Sequence, residues 1–205
     1  MKKIVIIDYG LGNILSVKNA FRLFEKNVFI SSNNEEIESA THLVVPGVGS
    51  FNEGIKNLQN KKLDTTIQKY FKTNKPILGI CLGLQLFFSS SEEFGNHNGL
   101  DLIKGKVVKI KKDIESLDKI PVIGWKDLHL EDSILHLDKK NQSTFYFDHS
   151  FMVKPDNLES IKGYYIFDKI KIPSFIVHNK FIGCQFHPEK SGKVGLNLIR
   201  QFLKL

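Results

Sequence analysis

No apolar run in this sequence approaches the roughly 18–20 residues that a membrane span requires. The N-terminus, MKKIVIIDYG, has the basic start of a signal peptide, but its apolar run is only IVII and Asp8 follows at once. No small-residue cleavage site comes next, so the segment reads as a first strand and the expected location is the cytoplasm. Cysteine is scarce, with only Cys81 and Cys184. Without a CxxC or a Cys/His cluster, the sequence offers no metal site and no disulfide framework. The two cysteines could still meet in space, so their redox state stays open. Arginine-rich stripes and RNA-binding aromatic signatures are missing too. The formal net charge of +7 comes from dispersed lysines, as in NKKLD, KVVKIKK and LDKKN. Solvated surface lysine explains this better than a nucleic-acid site, and a basic rim for an acidic partner or phosphorylated substrate stays open. Low-complexity tracts, long linkers and repeats are absent. One domain over residues 1–205 is the simplest organisation.

What is present falls into two halves. In the first, strand and helix signals alternate. IVIID is a short β-rich run, and residues 14–24 place Ile14, Val17, Phe21 and Phe24 at helical spacing. NVFI and HLVV read as strands, the latter broken by Pro46 and Gly47. Residues 55–71 read as one helix with Leu58 and Ile67 inward, PILGI as a fourth strand, and LGLQLFFS as a helix after it. Such alternation predicts an α/β fold, with a parallel sheet flanked by helices on both faces. The second half is a series of β-type runs: KVVKIKK, DSILHLD, TFYFDHSFMV, GYYIF, SFIVHN and FIGCQF. They predict antiparallel strands added to the same core. Residues 192–205 read as a closing helix that buries Val194, Leu198, Ile199 and Phe202.

Three short stretches carry chemistry. ILGICLGLQLFF sets Gly79 and Gly83 on either side of Cys81 at a strand-to-helix junction. This is the pattern of a nucleophile elbow, where a sharp turn exposes the nucleophile and its neighbours must be small. A helix start favours thiolate, and the Leu82 N–H is placed to meet an oxyanion. A core cysteine beside closely packed glycines fits the same residues. A thiolate nucleophile needs a base and a group to orient it. Of seven histidines, only His187, in GCQFHPEKSG, stands at a strand end with a carboxylate, Glu189, beside it. Pro188 takes the chain out of the sheet there, at the end where open α/β sheets place their sites. Alone, His187 reads as structural; with the elbow it reads as the base. VVPGVGSF, with Gly47 and Gly49, reads equally as a tight turn or as an anion-binding loop giving a second oxyanion donor at Gly49.

Together these stretches resemble class I (triad-type) glutamine amidotransferases. GICLG-x-Q, PG-x-G-x-F and FHPE-x-S occur here in that family's order, across residues 4–202. The resemblance implies a flavodoxin-like fold with an open, mixed, mainly parallel sheet flanked by helices. It implies a glutaminase with Cys81 as nucleophile, His187 as base and Glu189 as its partner. It implies that Gln85, Glu93 and the His149-Ser150-Phe151 segment bind glutamine, and that no cofactor or metal takes part. Within the family the likeness is closest to members serving histidine biosynthesis, on IIDYGLGN, CLGLQLFF, SEE, GW, HSF and QFHPEKSG. Those imply a (β/α)8-barrel cyclase partner that receives ammonia in a heterodimer. No second domain of synthase size follows Leu205, so the partner is expected to be a separate chain. Asn13 and Trp125 are expected to face it, although core packing explains Trp125 equally well.

Two segments depart from the histidine members. Their Pro-His-Met-Gly-Trp-Asn is here Pro121-Val122-Ile123-Gly124-Trp125-Lys126, and their Phe-Val-His-Ser-Tyr is Phe147-Asp148-His149-Ser150-Phe151. A relative that feeds ammonia to another synthase, such as one making amidino-modified surface sugars, is therefore the alternative. A cysteine peptidase could use the same elbow, but would not require Gln85, Glu93 and FHPE together. A catalytically silent subunit would have no chemical reason to keep Cys81, His187 and Glu189.

Overall fold

The computed structural model describes residues 2–112, 119–130 and 143–205. Its first half runs β1 (Ile4–Ile7), α1 (Ile14–Arg22), β2 (Val28–Ser31), α2 (Asn34–Glu38), β3 (His42–Val45), α3 (Phe51–Asn60), α4 (Leu63–Lys72), β4 (Ile77–Ile80) and α5 (Leu82–Gln85). The rest runs β5 (Phe88–Ser91), β6 (His97–Asn98), β7 (Ile103–Lys109), β8 (Val122–Leu130), β9 (Ser143–His149), β10 (Phe151–Pro155), β11 (Ile161–Phe167), β12 (Ile170–His178), β13 (Phe181–Cys184) and α6 (Gly192–Phe202). The main sheet has nine strands in the order β2-β1-β3-β4-β13-β12-β11-β8-β9. From β2 to β13 all pairings are parallel, and from β13 to β9 all are antiparallel. A second sheet, β10-β7-β5-β6, packs beside it.

Alternation along the short central strands explains why both faces are covered. Ile4, Ile6, Val44, Leu78 and Ile80 feed one apolar cluster with α1 and α6. Val5, Ile7, Leu43, Val45 and Ile77 feed the other with α3 and α4. Successive strand side chains point to opposite faces, so a wholly apolar run needs a layer on each side. No helix among the described residues is long and apolar enough to cross a membrane.

Three expectations change. The helix over residues 55–71 is two helices, because Lys62 turns left-handed at φ +55° where NKK offers nothing to bury. LGLQLFFS is helical only to Gln85; its second half becomes β5. The Phe87 carbonyl there accepts the N–H groups of Leu102 and Ile103, both at 2.9 Å, and Leu86 accepts from Leu100 at 2.9 Å. A run apolar on every side carries no period, so tertiary pairing decides its form. TFYFDHSFMV is two strands, since the chain leaves the main sheet at Ser150 and continues as β10 in the small one. The expected strand DSILHLD lies outside the described residues. The closing helix and the GYYIF, SFIVHN and FIGC strands occur where the sequence puts them.

Candidate active site

The parallel block brings the three chemical stretches together. β3, β4 and β13 are neighbours, and at their carboxyl ends stand the Gly47–Gly49 loop, Cys81 and His187. Cys81 has φ +53° and ψ −111°, a conformation that side-chain-bearing residues rarely adopt. The glycines make it possible. A Cβ on Gly83 would overlap the Val45 carbonyl, and one on Gly79 would lie 2.9 Å from the Gly83 carbonyl oxygen. The Cys81 N–H donates to the Cys184 carbonyl at 2.7 Å, which pins the elbow to β13. The helix after it, α5, is a single turn, so its dipole is weaker than a full helix would give.

His187 Nδ1 lies 2.8 Å from Glu189 Oε1, with both side chains almost fully buried. A carboxylate can only accept, so Nδ1 carries the proton and Nε2 is left for the sulfur. Burial lowers the His187 pKa, but hydrogen bonds and charge from Cys81 and Glu189 outweigh it and push it up to about 10. The histidine backbone is fixed as well. Its N–H donates to Tyr146 at 2.9 Å, and its carbonyl accepts from the Ser191 hydroxyl at 2.6 Å. Ser191 in turn accepts from the Tyr146 N–H at 3.0 Å. Cysteine, imidazole and carboxylate thus form a line able to move a proton off sulfur and back.

One of the two expected oxyanion donors is already engaged. The Leu82 N–H is not open to a ligand here: it donates to the Gly47 carbonyl at 3.3 Å. That carbonyl belongs to the Gly47–Val48 peptide, whose N–H points the opposite way. Turning this one peptide would release the Leu82 N–H. Gly49 lines the cavity at φ +111° and allows the loop to bend. The loop also touches the first βα connection, since a Cβ on Gly12 would meet Gly47 Cα at 3.4 Å.

A cavity of about 210 Å³ opens over Cys81, lined by Gln85, Glu93, Asp148, His149, Ser150 and Phe151 among others. It has room for an amino-acid-sized molecule, and Glu93 brings a carboxylate suited to an ammonium group. Glu93 is half-buried rather than solvated: its Oε2 accepts the Phe51 N–H at 2.6 Å, capping α3, which leaves Oε1 for a ligand. Gln85 is buried, and its amide nitrogen is spent on the Phe151 carbonyl at 3.3 Å and Gln185 Oε1 at 3.0 Å. Its carbonyl is what it can offer a substrate. The His149 side chain is buried structure: Nδ1 donates to the Phe151 carbonyl at 2.7 Å, and Nε2 accepts from the Tyr165 hydroxyl at 3.1 Å. Burial lowers its pKa to about 4 despite the Phe151 contact, with His187 adding to the fall. Only the backbone and wall around it can meet a ligand. Sequence reasoning gave no role to Tyr165, Ser191 or Gln185; Gln185 and Ser191 both lie inside QFHPEKSG, while Tyr165 carried no motif signal. Cys184 is a free, buried thiol, and no metal-holding group of His, Cys, Asp and Glu occurs among the described residues. Asn13 and Trp125 are both exposed, Trp125 at 55%, so core packing does not account for the tryptophan.

A family model described as "Glutamine amidotransferase class-I" matches residues 5–205. The chain belongs to the class I glutamine amidotransferase family. Membership makes the chain a glutamine-hydrolysing enzyme. The chain is 44% identical to "Imidazole glycerol phosphate synthase subunit HisH 1" of Legionella pneumophila (strain Paris), over 100% of both chains. It is 42% identical to "Imidazole glycerol phosphate synthase subunit HisH" of Methanocaldococcus jannaschii, over 98% of each. A solved structure titled "Crystal structure of glutamine amidotransferase" superposes with a TM-score of 0.75 at 17% identity, covering 98% of this chain and 97% of that one. At that identity the last match speaks for the fold, which is the open mixed α/β sheet of this family.

Proposed function

We propose that this chain is the glutaminase subunit of imidazole glycerol phosphate synthase, supplying ammonia to a (β/α)8-barrel cyclase in histidine biosynthesis. What carries the reading is a single conjunction: full-length similarity to subunits of that name, in a chain whose Cys81, His187 and Glu189 stand in line. His187 takes the Cys81 proton, and the sulfur attacks the side-chain amide carbon of glutamine. The tetrahedral oxyanion collapses as His187 protonates the leaving nitrogen, and ammonia departs. Water then gives a proton to His187 and adds to the thioester. The carbon–sulfur bond breaks, the sulfur regains its proton, and glutamate leaves. Glu189 holds the imidazole tautomer and stabilises the imidazolium. Glu93 and the Gln85 carbonyl take the substrate's ammonium and amide ends, against the wall at His149, Ser150 and Phe151.

The Leu82–Gly47 hydrogen bond makes the isolated chain a slow enzyme, because an oxyanion donor is occupied. Asn13 is exposed beside Gly12, which packs on Gly47, so a partner seated there presses on the peptide that must turn. This fits a heterodimer in the cytoplasm with ammonia passed directly across the interface. The test is glutamine turnover by the chain alone, with a cyclase, and with cyclase plus its ribonucleotide acceptor. A rise of at least about 10²-fold is expected with the liganded partner. Fast turnover by the chain alone would overturn the coupling.

A second reading rests on one observation. The departures from the histidine pattern meet across β8 and β9: Val122 pairs with His149 and Ile123 with Asp148. Ile123 is 60% exposed, and Pro121, Asp148 and His149 line the cavity. A paralogue delivering ammonia to a sugar-modifying synthase would differ at such a place. Amination of a nucleotide-linked sugar, and not of the ribonucleotide, by the partner pulled down from native extract would select it.

A further inference from the structure

Gln185 is fully buried, and its amide nitrogen lies 3.7 Å from Cys81 Sγ. Its orientation can be derived. The Phe151 carbonyl can only accept, so the Gln85 group facing it at 3.3 Å is the NH2. That same NH2 faces Gln185 at 3.0 Å, so the Gln185 atom there is the oxygen. The other end of the Gln185 amide, turned to the sulfur, must then be its NH2. A backbone carbonyl thus fixes, through two side-chain amides, an N–H donor aimed at the reacting atom. The backbone holds Gln185 in place too, since its N–H donates to Ser174 at 2.9 Å.

We propose that Gln185 is a catalytic residue that donates a hydrogen bond to the Cys81 sulfur, and that Gln85 is a positioning residue that keeps Gln185 turned that way. The proposal rests on Cys81 being the nucleophile. The neighbours of the sulfur show why a donor is needed. The Asp148 carbonyl lies 3.8 Å from it, accepting from the thiol, and would repel a thiolate. Sulfur carries negative charge before it attacks the amide and again as the carbon–sulfur bond of the thioester breaks. The Gln185 N–H cannot be transferred, so it supports that charge at both points beside the imidazolium. A buried donor to an anion favours the charged form. The same amide pair gives Gln85 a task besides meeting substrate, and explains why its NH2 faces away from the cavity.

The test separates the sulfur from the substrate. Alkylation of Cys81 by iodoacetamide, in a Cys184→Ala background so that only one thiol can react, reads thiolate directly and needs no glutamine. Gln185→Met keeps the size and removes the donor. It should move the pH midpoint of alkylation upward by about one unit or more, and lower kcat roughly 10- to 100-fold. KM should change by less than about threefold. Gln85→Met should move the midpoint the same way by a smaller amount. An unchanged alkylation profile in folded Gln185→Met overturns the proposal. If that variant does not fold, an unchanged profile in Gln85→Met overturns it. Wild-type chain lacking glutaminase activity would instead count against the proposed function, whatever the alkylation shows.

Discussion

Strands β4 and β13 lie side by side; β13 ends in Cys184, and Cys81 is the first residue after β4. Cys81 and Cys184 are both free, both buried, and joined by one backbone hydrogen bond. Their chemistry diverges nonetheless. Cys184 stays in the strand and its thiol enters the core, where burial and then Glu189 drive its pKa far up. Cys81 turns out of the strand at φ +53°, and its sulfur meets a cavity, an imidazole and the Gln185 amide. Burial does not distinguish the two. What does is a backbone turn that only the flanking glycines permit.

Exchange of each cysteine tests that contrast most strongly. Cys81→Ala should lower glutamine hydrolysis by more than about 10³-fold, with the thermal midpoint little changed. Cys184→Ala should keep activity within about threefold and lose about 1–2 kcal/mol on urea unfolding. Equal activity losses would erase the distinction. Next in size is Glu189, which acts on Cys184 and on His187. Glu189→Gln keeps an oxygen for Nδ1 but removes the charge. The pKa of His187 should fall from about 10, as followed by NMR titration, and kcat should fall roughly 10²-fold or more. An unmoved titration would show that Glu189 does not act through His187.

The smallest effect concerns pH and stability. His149 and His42 are held near 4 in the folded chain, both mainly by burial. Between about 4 and the ordinary histidine value of 6.5 the unfolded chain binds more protons, so stability is full above that window and falls as pH drops through it. His187 runs the other way: its contribution is full below 6.5 and is lost as pH rises through about 10. Urea midpoints between pH 4.5 and 7 should climb and then level, and His149→Gln should flatten part of the climb. A flat profile in the wild type would mean that neither buried histidine stays neutral.

The sequence was most readable where geometry is local. Gly79-x-Cys81-x-Gly83 and HPE each place their residues within one turn of chain, so residue types alone reveal the elbow and the His187–Glu189 pair. Long-range pairing was not readable. Gln85 and Gln185 are a hundred positions apart and meet only because β4 and β13 are neighbours. Tyr165 reaches His149 through a sheet whose strand order no local pattern states. TFYFDHSFMV looked like one strand because β-propensity cannot say which sheet accepts each half. The hydrogen bond from Leu82 to Gly47 was hidden for a related reason: a sequence names the donor but not the peptide that already occupies it.

That occupied donor has a meaning beyond the molecule. Glutamine is a nitrogen reserve on which many syntheses draw, and ammonia released with no recipient is lost to all of them. On the function proposed above, a cleft whose Leu82 amide is held by Gly47 would leave the reserve alone until something turned one peptide. Cys81, His187 and Glu189 would then decide how nitrogen is cut free, and a single 3.3 Å bond would decide when.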